Sequence, residues 1–369
     1  MQNPIDWKIG VEIELLAPAG SSRVELARAC AERHGGSVRT VLHQDSEPSK
    51  VPGKPLFYNL TQGFEALDRS GGLVVRCVDD LTLQDDLDRN AVPKSGWWRV
   101  VSDDDRLLRM LALHIDASAP LPDALERLPA LFDGKLIAAE GGMYRLVDSV
   151  GAPLAIAAPL PGERERGCEL ISPPIDRDHY RQIDQLLTVA TELGFALPQE
   201  GATHIHFDGQ ALINANSVAN LVNCFSRWAD TLRALCATPS RFRRVGGWPP
   251  ELAECANAPG FRELDWEQAQ QRLALLGLSK YCDFNLKNLI HPRDDLLTFE
   301  VRILSAYTTA KPVVMAAELF AAVLRHCCSD QQIESSSVKP YAAVESAAML
   351  ATLDLSAAGQ AYWQARSEA

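Results

Sequence analysis

The sequence predicts an α+β fold in which helices cover one side of an antiparallel sheet and the other side is functional. In three segments far apart in the chain, apolar residues alternate with ionisable ones, which is the period of a strand packed on one face. Between and after them lie stretches whose apolar residues have helical spacing. The three alternating segments are residues 9–15, 203–208 and 297–304.

The first alternating segment places two carboxylates on one face of a strand. In residues 9–15, Glu12 and Glu14 alternate with apolar residues and therefore point the same way. Like charges at neighbouring positions repel each other, and a divalent cation, which prefers carboxylate oxygen, would offset that repulsion. The alternative interpretation is an edge strand with a solvated acidic face.

The other two segments repeat the pattern with different ionisable groups. His204, His206 and Asp208 share one face of the second segment, and Glu300 and Arg302 share one face of the third. Because the intervening residues are apolar in both, we expect these strands to join the same sheet. Their ionisable residues would then line its open side.

The remaining elements are predicted from caps, breakers and periodicity. A capping-box spacing from Ser22 to Glu25 opens a helix that ends near residue 34. Residues 37–55 are polar and contain prolines, so we predict a loop or lid. Further strands are predicted at 56–59, 73–78 and 97–101, and helices at 61–69, 120–132, 176–193, 214–237, 265–276, 311–328 and 340–367.

Composition and charge argue against several classes of protein. The chain has 369 residues, of which 47% are hydrophobic and 23% charged, as in a soluble globular protein. Its net charge of -12 argues against general nucleic-acid binding. No signal-peptide pattern and no membrane-spanning apolar run is found. Nine cysteines without a C-x-x-C pair are expected to be reduced thiols, so we predict a cytoplasmic protein without a zinc–thiolate site.

Two charged segments leave alternatives open. Residues 102–105 are a serine and three aspartates, which indicate either a helix N-cap or a carboxylate at the rim of the metal-binding face. Arg241, Arg243 and Arg244 are concentrated in one segment of an acidic chain. They are either a solvated loop that balances charge or a clamp for phosphate or a substrate carboxylate, and Arg243 is our candidate for nucleotide binding.

The ionisable residues of the predicted open face are oxygen-rich metal ligands with one imidazole. Glu169 joins them from a short segment that ends at two prolines. This mixture suits magnesium or manganese better than structural zinc. The predicted metal ligands are Glu12, Glu14, Glu169, His204 and Glu300.

A guanidinium close to the predicted metal ligands suggests phosphoryl transfer. Arg302 lies two residues after Glu300, where it can neutralise a transferring phosphoryl group. The chain contains neither a Walker A loop nor a dinucleotide fingerprint. If ATP binds, it therefore binds across the open face of the sheet.

Four segments in order resemble the amidoligase family of carboxylate-amine ligases, which are similar to glutamine synthetase and γ-glutamylcysteine synthetase. The segments are IGVEIEL, GCELISPPI, THIHFDG and NLKNLIHPRDDLLTFEVRIL. The resemblance implies a glutamine synthetase-like fold, a curved antiparallel sheet whose concave face holds ATP and Mg²⁺ or Mn²⁺. Because no linker interrupts the chain, we predict one catalytic domain over residues 1–369, with an insertion around 37–160 and a helical C-terminal region, 311–369.

The resemblance also implies residue roles. Glu14 and Glu169 would bind the metal nearer the amino-acid substrate, and Glu12, His204 and Glu300 the metal that bridges the ATP phosphates. The remaining roles concern ATP and the substrate: Arg302 at the γ-phosphate, His206 beside the substrate or nucleotide, and Lys280 and Asn285 near ATP or the carboxylate. Arg302, Glu300 and His206 are the predicted catalytic residues.

The implied reaction joins an amino-acid or peptide carboxylate to an amine through an acyl phosphate. The resemblance further implies a glutamine amidotransferase partner that supplies ammonia. Two other functions stay open. His204 and His206 form an H-x-H pair, which is also typical of metal-dependent hydrolases. The Asp-Gly-Ser-like turn of the family is replaced by Asp103–Arg106 without its glycine and serine, which leaves a non-catalytic nucleotide-binding protein of the same fold as the third hypothesis.

Overall fold

The structure, a computed structural model, describes residues 5–48, 56–240, 246–292, 296–334 and 343–368. It is a mixed α/β structure with a large antiparallel sheet and helices, as the alternating segments predict. Two compact units are distinguished. The first comprises the chain up to Glu12, Pro174–Gln185 and the residues from Ala202 onward, and the second comprises Ile13–Pro173 and Leu186–Gly201.

The described residues form twelve strands and twelve α-helices. Strands β1 to β12 are Ile9–Leu16, Ser37–Pro48, Leu56–Leu67, Leu73–Val78, Trp98–Ser102, Lys135–Ala138, Tyr144–Val147, Pro153–Pro159, Gly167–Ile171, Ala202–Asp208, Phe284–Asn285 and Thr298–Ser305. Helices α1 to α12 are Arg23–Arg33, Asp105–Ala112, Leu121–Ala124, Leu128–Leu131, His179–Glu192, Ala215–Leu235, Pro250–Ala256, Trp266–Ala274, Lys287–Ile290, Ala310–Cys327, Ala343–Thr352 and Ala357–Ser367.

The first unit contains the strands that carry most of the predicted site. Its strand order is β11, β12, β10 and the first half of β1. Both β10 and β11 pair antiparallel with β12, and His206 and Asn285 each lie opposite Glu300. Ile205, between the two histidines, is completely buried. The predicted division of these strands into a packed and an ionisable face is therefore confirmed.

An aromatic cluster holds the helices of the first unit against the apolar face of its strands. The ring of Phe225 on α6 lies 4.5 Å from Phe284 on β11 and 5.0 Å from Phe299 on β12. Phe320 on α10 stacks parallel to Phe225 at 6.3 Å. Such ring contacts stabilise beyond the area they bury. They therefore hold α6 and α10 against the apolar face of β11 and β12.

The second unit has the strand order β1, β9, β4, β3, β5, β8, β7 and β6, with β2 paired to β3. Two local predictions are wrong here. Residues 37–48 are not a loop but strand β2, which pairs with β3 along its whole length. Residues 61–67 are not helical but continue β3, which is paired on both sides and largely buried. Backbone pairing in the sheet therefore outweighs local propensity in both segments.

Local signals identify several helix starts correctly. The side chain of Asp104 accepts hydrogen bonds from the backbone N–H groups of Arg106 and Leu107, so the aspartate segment is an N-cap of α2. Asp265 caps α8 in the same way. The Ser22–Glu25 capping box is only half correct, because α1 starts at Arg23 but the Ser22 side chain makes no cap hydrogen bond.

All nine cysteines are free thiols, and most of them are buried. Burial raises the pKa of Cys30 and Cys236 to about 12. These thiols are therefore protonated and unreactive at neutral pH. Among the described residues, no helix is both long and apolar enough to cross a membrane.

His179 at the start of α5 makes the stability of the first unit depend on pH. Its Nε2 lies 3.2 Å from the carbonyl oxygens of both Trp7 and Ile175, and it donates to them as a neutral ring. Burial lowers the pKa of His179. The two hydrogen bonds and the charges of Asp176 and Asp178 raise the pKa, but the effect of burial is larger. The unfolded chain therefore binds this proton at a higher pH than the folded one, and stability falls as the pH drops below about 6.5.

We expect His179→Gln, which cannot titrate, to lose less stability than the wild type between pH 7.5 and 5.5. Urea unfolding at both pH values measures the difference. An equal loss in both proteins would contradict the assignment of His179 as a buried neutral donor.

Candidate functional site

Three predicted metal ligands from three strands meet in the first unit. Glu12 on β1, His204 on β10 and Glu300 on β12 each offer a ligand atom, and these atoms lie within 4.8 Å of one another. The Nδ1 of His204 lies 3.3 Å from an Oε atom of Glu12 and 3.7 Å from one of Glu300. His204 and Glu300 are buried, whereas the Glu12 side chain retains 23% exposure. The group is therefore reached through Glu12.

His206 extends this group on the same face of β10. Its Nε2 lies 3.2 Å from Glu12 Oε1 and 3.7 Å from Glu300 Oε1. Its other nitrogen, Nδ1, lies 3.1 Å from the hydroxyl of Thr298, which also accepts from the amide of Asn288 at 3.2 Å. The ring of His206 is thereby held in place from its far side.

Both carboxylate oxygens of Glu300 accept hydrogen bonds from neighbouring side chains. Asn285 Nδ2 donates to one of its carboxylate oxygens at 2.7 Å, and Arg302 donates to the other. Asn285 is itself fixed, because its Oδ1 accepts from the Lys287 N–H at 2.8 Å. Strand alternation places Arg302 on the face of Glu300, as predicted, whereas Asn285 reaches it from β11 across the sheet.

The buried carboxylates of the group are ionised. Burial raises the pKa of Glu300, but the charges of Arg302 and His206 outweigh it and bring the pKa to about 2. Burial also raises the pKa of Glu12, but the charge of His206 and a hydrogen bond with His204 hold it well below the ordinary value. Two carboxylates with oxygens within 4.8 Å of each other create a strong local preference for positive charge.

The two imidazoles of the group differ in protonation. Burial and the charge of Arg302 lower the pKa of His204, so its ring is neutral at pH 7. Burial lowers the pKa of His206 as well, but the charges of Glu12 and Glu300 raise it to about 9. The neutral imidazole is the form that binds metals. His204 is therefore the better ligand of the two.

The group fits a hard divalent cation. Its donors are two ionised carboxylates and a neutral imidazole, with no thiolate among them, which suits Mg²⁺ or Mn²⁺. The Nε2 of His206 is buried and makes no hydrogen bond within the described part of the chain, although Glu12 is near. The proximity of Glu12, His204 and Glu300 agrees with the grouping that the family resemblance implies, and their metal-binding role stays a prediction.

The two other predicted metal ligands lie in the second unit. Glu14 is buried on β1 and Glu169 is half-buried on β9, which are neighbouring strands. A carboxylate oxygen of Glu14 lies within 4.8 Å of one of Glu169. They form a second carboxylate pair, in agreement with the grouping that the family resemblance implies.

Two further ionisable candidates, Lys280 and Asp208, have other contacts, and a third, Arg243, is not described. Lys280 lies in the loop before β11, and its ammonium is 5.4 Å from the centre of the Tyr281 ring. Arg243 lies outside the described residues. Asp208 forms an ion pair with Lys8 at 3.4 Å. The roles predicted for Lys280 and Arg243 stay predictions.

Sequence reasoning missed the support of His206. Thr298 lies two residues before Glu300 and shares its face, so the alternation that identified Glu300 could have included it. Asn288 could not have been found in this way, because residues 287–290 form helix α9 and not a strand. The turn of this short helix brings the side chain of Asn288 to Thr298.

Asn285 acts as a positioning residue for Glu300, and its removal can be tested. We expect Asn285→Ala to weaken Mn²⁺ binding about ten- to a hundredfold, as loss of a ligand's hydrogen-bond partner does elsewhere. Electron paramagnetic resonance titration of Mn²⁺ measures this. The control is Asn288→Ala, whose amide donates to Thr298 instead, and it should bind Mn²⁺ almost like the wild type. Unchanged affinity in Asn285→Ala would contradict this role.

Comparison with known proteins agrees with the geometry. The model of a protein family described as "Putative amidoligase enzyme" matches residues 6–324, which include every strand that contributes to the two carboxylate groups. No curated protein matches the chain.

Proposed function

We propose that this chain, which belongs to the amidoligase family, is an ATP-dependent ligase that joins a carboxylate to an amine. The observation that carries the proposal is the group of Glu12, His204 and Glu300 on one open strand face, with Arg302 beside it. Carboxylates that bind a metal, together with a neighbouring guanidinium, can stabilise a transferring phosphoryl group.

Glu12, His204 and Glu300 would hold one divalent cation, and Glu14 and Glu169 would contribute to a second. A bound cation supplies positive charge that neutralises the phosphate oxygens of ATP and orients them. Because Asn285 and Arg302 fix both oxygens of Glu300, this carboxylate is preorganised for its role. Little rearrangement is then needed on binding.

Arg302 would stabilise the charge that spreads over the transferring group. Its side chain is 17% exposed, so it is largely shielded from water but accessible from the open face. The substrate carboxylate attacks the γ-phosphorus, the bond to the bridging oxygen breaks and ADP leaves. The amine then attacks the acyl phosphate, and one former carboxylate oxygen departs in inorganic phosphate. No covalent enzyme intermediate is required.

The test is release of ADP from ATP in the presence of Mg²⁺ with a panel of carboxylates and amines. The proposal predicts release that requires a carboxylate. Failure of every pair in a protein that binds ATP would favour a non-catalytic nucleotide-binding protein. Failure to bind ATP at all would contradict the ligase proposal.

A metal-dependent hydrolase is the second candidate, and two contacts favour it. His204 and His206 both approach Glu12, with nitrogen–oxygen distances of 3.3 and 3.2 Å. Two imidazoles and two carboxylates can also bind zinc. This candidate predicts tight Zn²⁺ binding and activity without nucleotide, so a strict requirement for ATP excludes it.

A further inference from the structure

A cavity of about 210 Å³ in the second unit has three arginines in its lining. They are Arg89, Arg99 and Arg164, and the acidic residues of the lining are Asp88 and Glu163. In a chain of net charge -12, a cavity with an excess of guanidinium groups indicates an anionic ligand. Its volume is sufficient for a carboxylate or phosphate group, but small for a nucleotide.

Arg164 is held rigidly in this cavity. Its side chain is 12% exposed, and its terminal nitrogens donate to the Leu83 carbonyl at 2.6 Å and to Asp79 Oδ1 at 2.7 Å. Its Nε is buried and has no hydrogen-bond partner in the part of the chain that the structure describes. One donor of a fixed guanidinium therefore remains for a ligand or an ordered water.

The other two guanidinium groups donate to neutral amide oxygens. Arg99 NH1 lies 3.1 Å from Asn59 Oδ1, and Arg89 NH2 lies 2.9 Å from Gln84 Oε1. An amide oxygen positions a guanidinium without cancelling its charge. These contacts therefore orient Arg89 and Arg99 at the cavity.

The two acidic residues of the lining are engaged in the surrounding loops. Glu163 forms an ion pair with Arg166 and accepts from the Asp88 N–H at 3.2 Å. Asp88 Oδ1 accepts from the Asn90 N–H at 2.9 Å. Their oxygens stabilise the loop backbone, and the charge of Glu163 is balanced by Arg166.

Strand register places Arg99 on the same sheet face as Glu169. Both lie in the second unit, and strands β5, β3, β4 and β9 that connect them are neighbours in that order. Residues opposite each other in paired strands share a face, as do residues two or four apart along one strand. The connecting pairs are Arg99 with Thr61, Glu65 with Arg76, and Arg76 with Ile171.

The separation of Arg99 from Glu169 is set by the sheet. Three strand spacings correspond to about 14 Å across the sheet, and an offset of two residues adds about 7 Å along it, which gives about 16 Å between the two backbone positions. The loop after β4 covers the face near Glu169, because a Cβ on Gly167 would lie 3.4 Å from Asp79 Oδ1. The cavity thus lies on the predicted metal-binding face, but at a distance from the carboxylates.

We propose that this cavity binds a second anionic group of the ligase substrate, so that the substrate is an extended molecule with two acidic ends. This inference rests on the proposed function. One carboxylate reacts beside the metal that Glu14 and Glu169 of the same unit would hold, and the other oxyanion, a carboxylate or a phosphate, binds Arg89, Arg99 and Arg164. An acidic peptide fits this description, whereas a small monocarboxylate does not.

Direct binding of two probe anions tests the cavity independently of activity. Glutarate labelled with ¹³C and inorganic phosphate are titrated with the full chain and followed by nuclear magnetic resonance. Because charge-assisted hydrogen bonds are among the stronger ones, we expect Arg99→Gln and Arg89→Gln each to weaken binding about tenfold or more. Arg145→Gln, an exposed arginine on β7 outside the lining, is the matched control and should bind as the wild type does.

The outcomes of this titration are distinct. Tighter binding of glutarate than of phosphate identifies a carboxylate site, and the reverse order identifies a phosphate site. Binding of neither anion to the wild type overturns the inference, and so does binding that Arg99→Gln and Arg89→Gln leave unchanged. Arg89 is exposed, so its substitution is not expected to disturb folding.

Kinetics then separate this inference from the proposed function. With an acidic peptide as the carboxylate in the ADP-release assay, Arg99→Gln should raise KM about tenfold and leave kcat nearly unchanged. Arg99→Lys should restore part of the affinity. ADP release with an unchanged KM in Arg99→Gln would contradict substrate binding in the cavity but would leave the proposed ligase function intact. Anion binding that depends on Arg99, in a protein that releases no ADP with any carboxylate, refutes the ligase while the anion site itself stands.

Discussion

Glu300→Gln should weaken Mn²⁺ binding at least about a hundredfold and abolish ADP release. Loss of a mere hydrogen-bond partner of a ligand typically costs ten- to a hundredfold in metal affinity, so loss of the ligand's own charge should cost more. Glu300 is 4% exposed and ionised, with a pKa of about 2, because the charges of Arg302 and His206 outweigh the effect of its burial. Glutamine keeps the shape of this side chain but removes the negative charge.

The matched control for this variant is Glu318→Gln. Glu318 is also a completely buried glutamate of the first unit, and its Oε1 accepts from the Ser356 N–H at 2.7 Å at the start of α12. Glutamine can accept the same hydrogen bond. We expect this variant to bind Mn²⁺ and release ADP like the wild type. Wild-type Mn²⁺ affinity in folded Glu300→Gln, verified by circular dichroism, would contradict the assignment of the metal group.

Arg302→Lys should lower kcat about 10²–10³-fold and change the Mn²⁺ affinity little. Lysine keeps the positive charge that ionises Glu300, but it lacks the planar fork that contacts several phosphate oxygens at once. Loss of one preorganised donor at a developing charge typically has an effect of this size. Steady-state ADP release and Mn²⁺ titration of the same protein preparation separate the two effects.

Arg233→Lys provides the comparison for Arg302→Lys. Arg233 on α6 pairs with Asp283, which is the residue whose carbonyl accepts the Arg302 N–H at 2.9 Å. It therefore tests whether any arginine change near β11 lowers the rate. We expect its kcat to stay close to that of the wild type. Equal rate losses in the two variants would indicate a general disturbance of β11 and β12, and a kcat of Arg302→Lys near wild type would exclude the proposed role.

The sequence predicted the candidate site better than it predicted the sheet around it. Alternation over a few residues determines which side chains share a face, so Glu12, His204 and Glu300 could be assigned from each strand alone. Like charges on one face of a strand repel each other unless a bound cation offsets the repulsion. This made the acidic residues on otherwise apolar strands candidates for a functional site. Their meeting in one group required only that the three strands be neighbours.

The errors arose where contacts distant in sequence decide the local structure. The polar segment 37–48 has few apolar residues, yet it pairs with β3 along its whole length, and the ion pair of Arg39 with Glu65 joins the two strands. Asn285 and Asn288 illustrate the same limit within the site. Asn285 donates to Glu300 across the sheet, whereas Asn288 donates from a short helix to Thr298, and neither contact follows from local periodicity.

The transfer of one oxygen atom is the most direct test of the proposed ligation. The carboxylate that supports ADP release is labelled with ¹⁸O in both oxygens, and the inorganic phosphate formed is analysed by mass spectrometry. An acyl-phosphate route predicts one ¹⁸O in each phosphate for each amide formed. Amide formation or ADP release with unlabelled phosphate would contradict it.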